Sequence, residues 1–303
     1  MNTIIDFFIS IIPYLLFIPL GYWLTRKKAI PKSWLTIPLI YVMMPVLVIH
    51  HFLEADPVKL AILPPISFAI ACLMLLPAYW ANKSFAKDYD PNLVKSVFSF
   101  FNVAFFGIPI VTALFGPQAI TVLICIYIGT ALYGDIFGYY LMARSKFSVK
   151  EAIGKVFQAP FIYAFSIALT LKLLDVELPG PVESVSDVFS IIVSAGGMYI
   201  IGSNVSDLHF KNIDWKFANK AMGLRLLAAV VFTAVFILAE FFILDLLDVD
   251  ARKMLVLLPL FPVAANVTVF ASFFGSEEEN SGILVLLTLG VSLILVPLVA
   301  MWF

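Results

Sequence analysis

The chain has 303 residues, of which 62% are hydrophobic and 13% charged, with a formal net charge of −1. A soluble domain typically carries about 45–50% apolar and about 25% charged residues, so a water-soluble globule is excluded. About ten spanning helices at roughly 20 residues each leave roughly 100 residues for loops, which excludes an ATP-binding or catalytic domain outside the bilayer.

The apolar runs predict an all-α polytopic membrane protein of ten spans. In chain order they cover residues 3–24, 34–53, 61–81, 95–115, 119–143, 156–174, 184–205, 221–244, 253–274 and 281–302, numbered here spans 1 to 10. Span 1 does not read as a cleavable signal peptide, because it lacks a basic leader and runs directly into Arg26, Lys27 and Lys28. The only cysteines, Cys72 and Cys125, lie inside apolar runs, so neither a disulfide framework nor a thiolate metal site is expected.

The cations alternate from loop to loop. Arg26, Lys27, Lys28 and Lys32 fall between spans 1 and 2, Lys83, Lys87 and Lys95 between 3 and 4, and Arg144, Lys146, Lys150 and Lys155 between 5 and 6. Lys211, Lys216, Lys220 and Arg225 are assigned to the loop between spans 7 and 8 and its flank, while the opposite side has Lys59, Lys172, Arg252 and Lys253. The positive-inside rule then puts the odd-numbered loops in the cytoplasm and both termini outside, in the cell membrane.

Five spans (1–143), a basic linker (144–155) and five more (156–303) suggest a repeat. Phe101-Asn102-Val103-Ala104 in span 4 matches Phe261-Pro262-Val263-Ala264 in span 9, and each stretch ends in Phe-Gly, at Phe115-Gly116 and Phe274-Gly275. An odd number of spans per half makes the two halves an inverted repeat, an arrangement common in secondary transporters.

The same two spans carry residues that disrupt helices in lipid. Span 4 combines Asn102, Gly107 and Pro109, and span 9 combines Pro259, Pro262 and Asn266. A proline inside a helix removes a hydrogen bond and clashes with the preceding turn. In hydrocarbon the freed backbone groups need partners or a watery cavity. Prolines elsewhere in the chain read as ordinary kinks; what separates spans 4 and 9 is an asparagine in each, costly in hydrocarbon without partners. A half-helix starting at such a break presents N–H groups and a positive dipole end, suited to an anion. Backbone dipoles and the amides of Asn102 and Asn266 are therefore the expected partners of an anionic substrate.

These residues resemble the auxin efflux carrier family, which includes bacterial malonate and malate carriers and the plant PIN-formed auxin exporters. The likeness rests on Asn102 followed by Gly107-Ile108-Pro109 in span 4, and on Pro262, Asn266 and Gly275 in span 9. Pro45-Val46-Leu47 in span 2 and Gly196, Gly197 and Gly202 in span 7 add weaker matches. The resemblance implies a scaffold of spans 1, 2, 6 and 7, a moving transport domain of spans 3–5 and 8–10, crossing broken helices 4 and 9, and elevator-type alternating access. The plant exporters carry a long loop between the halves that this chain lacks, and nothing marks auxin as the substrate. The sodium-coupled bile-acid symporter type shares the architecture and stands as an alternative; a channel or sensor on the same scaffold is another.

Other polar residues at membrane depth are weighed individually. Asp135 in span 5, flanked by Gly134 and Gly138, is the candidate for proton or cation coupling, though a structural carboxylate fits equally; the G-x-x-x-G spacing itself points to close packing. Glu240 near the outer end of span 8 reads as interfacial, and Ser203 and Asn204 at the end of span 7 could face the site. His50 and His51 end span 2 without further ligands for a metal, so no metal or other cofactor is expected. No G-x-x-x-x-G-K, G-x-G-x-x-G, H-E-x-x-H or G-x-S-x-G occurs, and no nucleophile–base pair stands at depth, so an enzyme is not expected. The expected function is secondary transport of a small organic anion. The substrate would be bound by Asn102, Gly107, Pro109, Pro262 and Asn266, and transport would be coupled to protons or sodium. Lipid is the other expected partner, a homodimer is compatible, and nucleic acid is not called for.

Overall fold

The computed structural model describes residues 3–28, 32–138, 140, 143, 147–157, 160–206, 214–265, 267 and 278–303. Among the described residues the only secondary structure besides one isolated antiparallel bridge is helical, and seven helices are long and apolar enough to cross a membrane. The seven fall on spans 1, 2, 3, 5, 7, 8 and 10, while span 6 is the shorter apolar helix Pro160–Leu173. Spans 4 and 9 do not form continuous helices. Span 4 divides into Pro91–Ser99 and Gly107–Phe115, and the described part of span 9 begins with Val249–Leu257 and leaves helical geometry after Leu260.

Helix starts follow capping chemistry. Asp56 accepts from the N–H groups of Val58 (2.9 Å) and Lys59 (3.1 Å), and Asp90 from that of Asn92 (2.8 Å). Each is followed by proline, whose missing N–H costs nothing in a first turn. Asp214 and Asp248 do the same at spans 8 and 9, accepting from Phe217 (2.9 Å) and Ala251 (2.8 Å). Prolines elsewhere bend or widen spans without severing them. Span 2 has a π turn at Leu39–Met43 between Pro38 and Pro45, and span 3 is interrupted at Met74, three residues before Pro77.

Packing groups the spans. Span 1 lies along span 7, where Gly21 faces the Tyr199 carbonyl and Gly202 the Ile18 carbonyl with no room for a Cβ at either. Without a hydrophobic drive between helices in lipid, such close backbone approach is what holds a pair together. Span 6 packs on span 2, span 5 on span 3, and span 8 on spans 9 and 10. Large apolar side chains such as Leu173, Phe242 and Ile243 project outward at 75–78% exposure, as lipid-facing residues do.

Candidate functional site

The two interrupted spans meet where both leave helical geometry. Phe100 and Phe261 are extended, and beyond them Phe101 and Val263 form the antiparallel bridge. The Asn102 N–H donates to the Pro262 carbonyl (2.9 Å) and the Ala264 N–H to the Phe100 carbonyl (3.2 Å). In this register Asn102 stands opposite Pro262, the same two residues that the internal sequence match aligns. Two breaks that pair through backbone satisfy groups that hydrocarbon could not.

Pro262 shapes its partner. In an antiparallel pair of this kind each residue gives an N–H to the other, but proline has none to give. The Asn102 carbonyl is left free and instead accepts from the Gly107 N–H (3.3 Å). The Asn102 side chain completes the turn, its Oδ1 accepting from the Phe106 N–H (3.2 Å). Asn102 therefore closes the backbone path into the second half-helix twice, and its Nδ2 remains buried with no hydrogen-bond partner. Among the described residues, nothing accepts from the N–H groups of Ala104 and Phe105 in the same turn. The half-helix start was expected to present open donors; Phe106 and Gly107 are already bonded, and the open ones lie one and two residues earlier and on the asparagine amide.

Pro109 does not break a helix. It occupies the first turn of Gly107–Phe115, where its N–H would have had no partner. Gly107 is small because the Phe261 ring passes over it, 3.1 Å from where a Cβ would stand. Asn266 lies outside the described residues. Asn102, Gly107 and Pro262 meet at the crossing, and Pro109 is buried two residues further along the half-helix.

The sequence reading missed the residue that holds the crossing together. Its place in the sequence puts Arg225 on the flank of a cytoplasmic loop, whereas it is 3% exposed and reaches the crossing from span 8. Its Nε donates to the Val97 carbonyl (3.0 Å), one Nη to Phe261 (3.2 Å) and the other to Phe100 (3.3 Å). These carbonyls end the first half of span 4 and the helical part of span 9, where the helix dipoles are negative. The guanidinium also lies over the Phe101 ring, 4.6 Å from its centre. It has no carboxylate partner among the described residues, where its charge faces carbonyl dipoles and the Phe101 ring. Thr288 in span 10 adds a further support, its Oγ1 accepting from the Val263 N–H (3.0 Å). Neither residue carries a sequence signal for this role, since their partners are main-chain atoms.

Span 7 faces the crossing. The Asn204 amide donates to the Ala265 carbonyl (3.3 Å), and Phe105 packs against Gly197. Ser203, expected to share that role, turns the other way and accepts from the Thr25 hydroxyl of span 1 (2.8 Å).

Asp135 lies in the widened turn Tyr133–Gly138 of span 5. It is half-buried and has no hydrogen-bond or ion-pair partner among the described residues. Gly138 in the same turn lies against the Phe100 ring, so this part of span 5 presses on the crossing, and the glycine spacing serves close packing. Glu240 is structural: buried at 2%, it accepts from the N–H groups of Leu246 and Leu247 (both 2.8 Å) and from Arg252 (2.7 Å), closing the turn between spans 8 and 9. An apolar cavity of about 770 Å³ between spans 2, 3, 5 and 6, lined by Phe52, Phe68, Phe165 and Lys172 among others, includes none of the crossing residues.

No protein-family model matches the chain, and no curated protein sequence matches it. The crossing is accordingly read from its own geometry.

Proposed function

We propose that the chain is a secondary transporter of a small organic anion, bound where spans 4 and 9 cross and moved by elevator-type alternating access. The observation that carries this reading is the pairing of two interrupted spans at Asn102 and Pro262, with a buried donor left over at the Asn102 amide and open N–H groups in the turn behind it. Open N–H donors at a helix start suit a carboxylate, and interrupted helices meeting inside the bundle are a carrier's means of building a polar site in lipid. Arg225 adds positive potential without presenting a salt bridge for the ligand to break.

On this reading the chain has ten spans in a five-plus-five inverted repeat, which the opposition of Asn102 and Pro262 supports, since residues related by a two-fold axis meet as equals on it. The contacts of spans 1 with 7 and 2 with 6, against those of 3 with 5 and 8 with 9 and 10, support a scaffold of spans 1, 2, 6 and 7 beside a transport domain of spans 3–5 and 8–10. Asn266 would complete the site with Gly107, Pro109 and Pro262 as its backbone walls. Asp135, unpartnered beside the crossing, would couple transport to protons. Both termini would lie outside the cell membrane.

The test is flux in vesicles reconstituted with the purified protein, after a thermal-shift screen of mono- and dicarboxylates names a substrate. Saturable uptake with counterflow exchange, lost in Asn102→Asp, is expected. The aspartate keeps the acceptor for the Phe106 N–H but replaces the free donor with a negative charge. Transport unchanged in that variant overturns the site, and large unitary currents overturn the carrier.

A further inference from the structure

Three side chains with metal-ligating atoms meet at the end of span 2. His50, His51 and Glu54 belong to the helix Met44–Glu54, and one donor atom from each lies within 4.8 Å of the others. His50 and Glu54 are one turn apart, with Nε2 and Oε2 at 3.5 Å, and the two imidazole rings lie 4.9 Å apart, tilted at 60°. Both histidines are buried at 4% and 7% exposure, whereas the Glu54 side chain is 52% exposed.

Packing alone accounts poorly for this cluster. Buried polar atoms are ordinarily hydrogen-bonded, yet His50 Nδ1 is buried with no partner. At 3.5 Å the contact between His50 and Glu54 is too long for a good hydrogen bond. It matches the separation of two ligands on one tetrahedral zinc ion, about 3.4 Å for bonds of about 2.1 Å. His51 carries the outer support that ligating histidines usually have: its Nδ1 lies 3.0 Å from the Thr121 hydroxyl of span 5, which fixes the ring and leaves the other nitrogen free. Glu54 has no lysine or arginine partner among the described residues; the nearby Lys172 ammonium donates instead to the Leu53 (2.6 Å) and Ala55 (2.9 Å) carbonyls.

We propose that His50, His51 and Glu54 form a binding site for a divalent cation of the zinc class, with Thr121 as a positioning residue. Two neutral imidazoles and one carboxylate suit zinc rather than the hard cations calcium and magnesium, which take mainly oxygen ligands. Three protein ligands leave a coordination position for water, and the exposed carboxylate gives the ion its route in from solvent. Because Thr121 belongs to span 5, the bound ion would tie spans 2 and 5 at that level. The proposal concerns binding only and stands or falls independently of the transport reading.

The experiment titrates tag-free, chelator-treated protein in detergent with zinc chloride by calorimetry, and with cobalt(II) by its visible absorption. One saturable zinc site with tetrahedral cobalt bands is expected. Glu54→Gln and His50→Gln should each weaken zinc at least tenfold, and Thr121→Val about tenfold with the ligands unchanged. His209→Gln, the remaining histidine, should bind as the parent does. Glu54→Gln is the decisive variant, since an exposed carboxylate can be neutralised without disturbing the core; its thermal midpoint without metal should equal the parent's. Absence of saturable zinc binding overturns the site, as does parental affinity in Glu54→Gln or loss of binding in His209→Gln.

Discussion

Replacing Arg225 by lysine isolates the role of its forked geometry. Lysine keeps the positive charge buried, so the cost of removing a cation from water is common to both proteins. The number and direction of donors change. The guanidinium reaches carbonyls on two different spans, Val97 and Phe100 on one and Phe261 on the other, at 3.0 to 3.3 Å. A single ammonium on a flexible stem cannot reproduce that spread. The Phe100 carbonyl would still hold the Ala264 N–H (3.2 Å). Val97 and Phe261 have Arg225 as their donor, and an ammonium that holds one of them leaves the other bare, at a cost of about 1–3 kcal/mol for a buried carbonyl. The loss should be concentrated at the crossing. Hydrogen exchange at the Asn102 and Ala264 amides, which close the bridge, should quicken by about fivefold or more, since about 1.4 kcal/mol is a factor of ten. Reversible unfolding in mixed detergents should report the same free energy. If Arg225→Lys unfolds like the parent and those amides exchange at the parental rate, Arg225 does not hold the crossing.

Asn102→Ala removes both the acceptor for the Phe106 N–H and the free amide donor; it should lower stability by about 1 kcal/mol, the usual loss of a side-chain cap, and abolish flux, whereas flux that survives it refutes the site. Gly202→Leu forces a side chain against the Ile18 carbonyl and should part spans 1 and 7, read as loss of monodisperse elution after solubilisation; a normally behaved variant would show the contact to be dispensable. Glu240→Ala leaves Arg252 with Asp245 alone and the Leu246 and Leu247 N–H groups without their acceptor, and should lower the unfolding midpoint; an unchanged midpoint would show that the turn does not depend on Glu240. The Phe217 N–H and the Tyr89 hydroxyl hold the exposed Asp214 carboxyl below its ordinary range, so its cap stabilises at neutral pH and is lost as pH falls through the lowered value. Asp214→Asn keeps a capping oxygen and should remove that acid-dependent part of the stability curve while leaving the neutral-pH value nearly unchanged. Asp135→Asn should flatten the pH dependence of flux, and replacing sodium with choline at fixed pH should leave flux intact; a strict sodium requirement would instead favour the bile-acid symporter type.

The breaks in spans 4 and 9 were legible because their causes are local. Pro262 lacks an N–H wherever it stands, and Asn102 brings its own competing hydrogen bonds. Pro109 misled by type: a proline inside an apolar run reads as a breaker, yet here the chain had already left the helix at Phe100 and re-entered it at Gly107. Arg225 was illegible for a physical reason. A cation a few residues inside a span looks like a flanking charge, and its acceptors are main-chain carbonyls that leave no mark in a sequence. Thr288 escaped notice likewise. The His50–Glu54 spacing was in plain view, but only the fold places His51 beside Thr121 and leaves His50 Nδ1 without a bond. The turn at Tyr133–Gly138 shows the mixed case: the glycine spacing announced close packing, while the partner proved to be a phenylalanine ring at the crossing.

Proline at 262 has one further consequence. The backbone at the crossing has the symmetry of any antiparallel pair, but one side contributes an amide that donates and the other a proline with no N–H, whose carbonyl only accepts. A molecule resting there meets a surface with a polarity, richer in hydrogen on the side of Asn102, and so can lie in one sense only. Exchanging the two residues, Asn102→Pro with Pro262→Asn, would turn that polarity end for end while leaving the pairing register where it is.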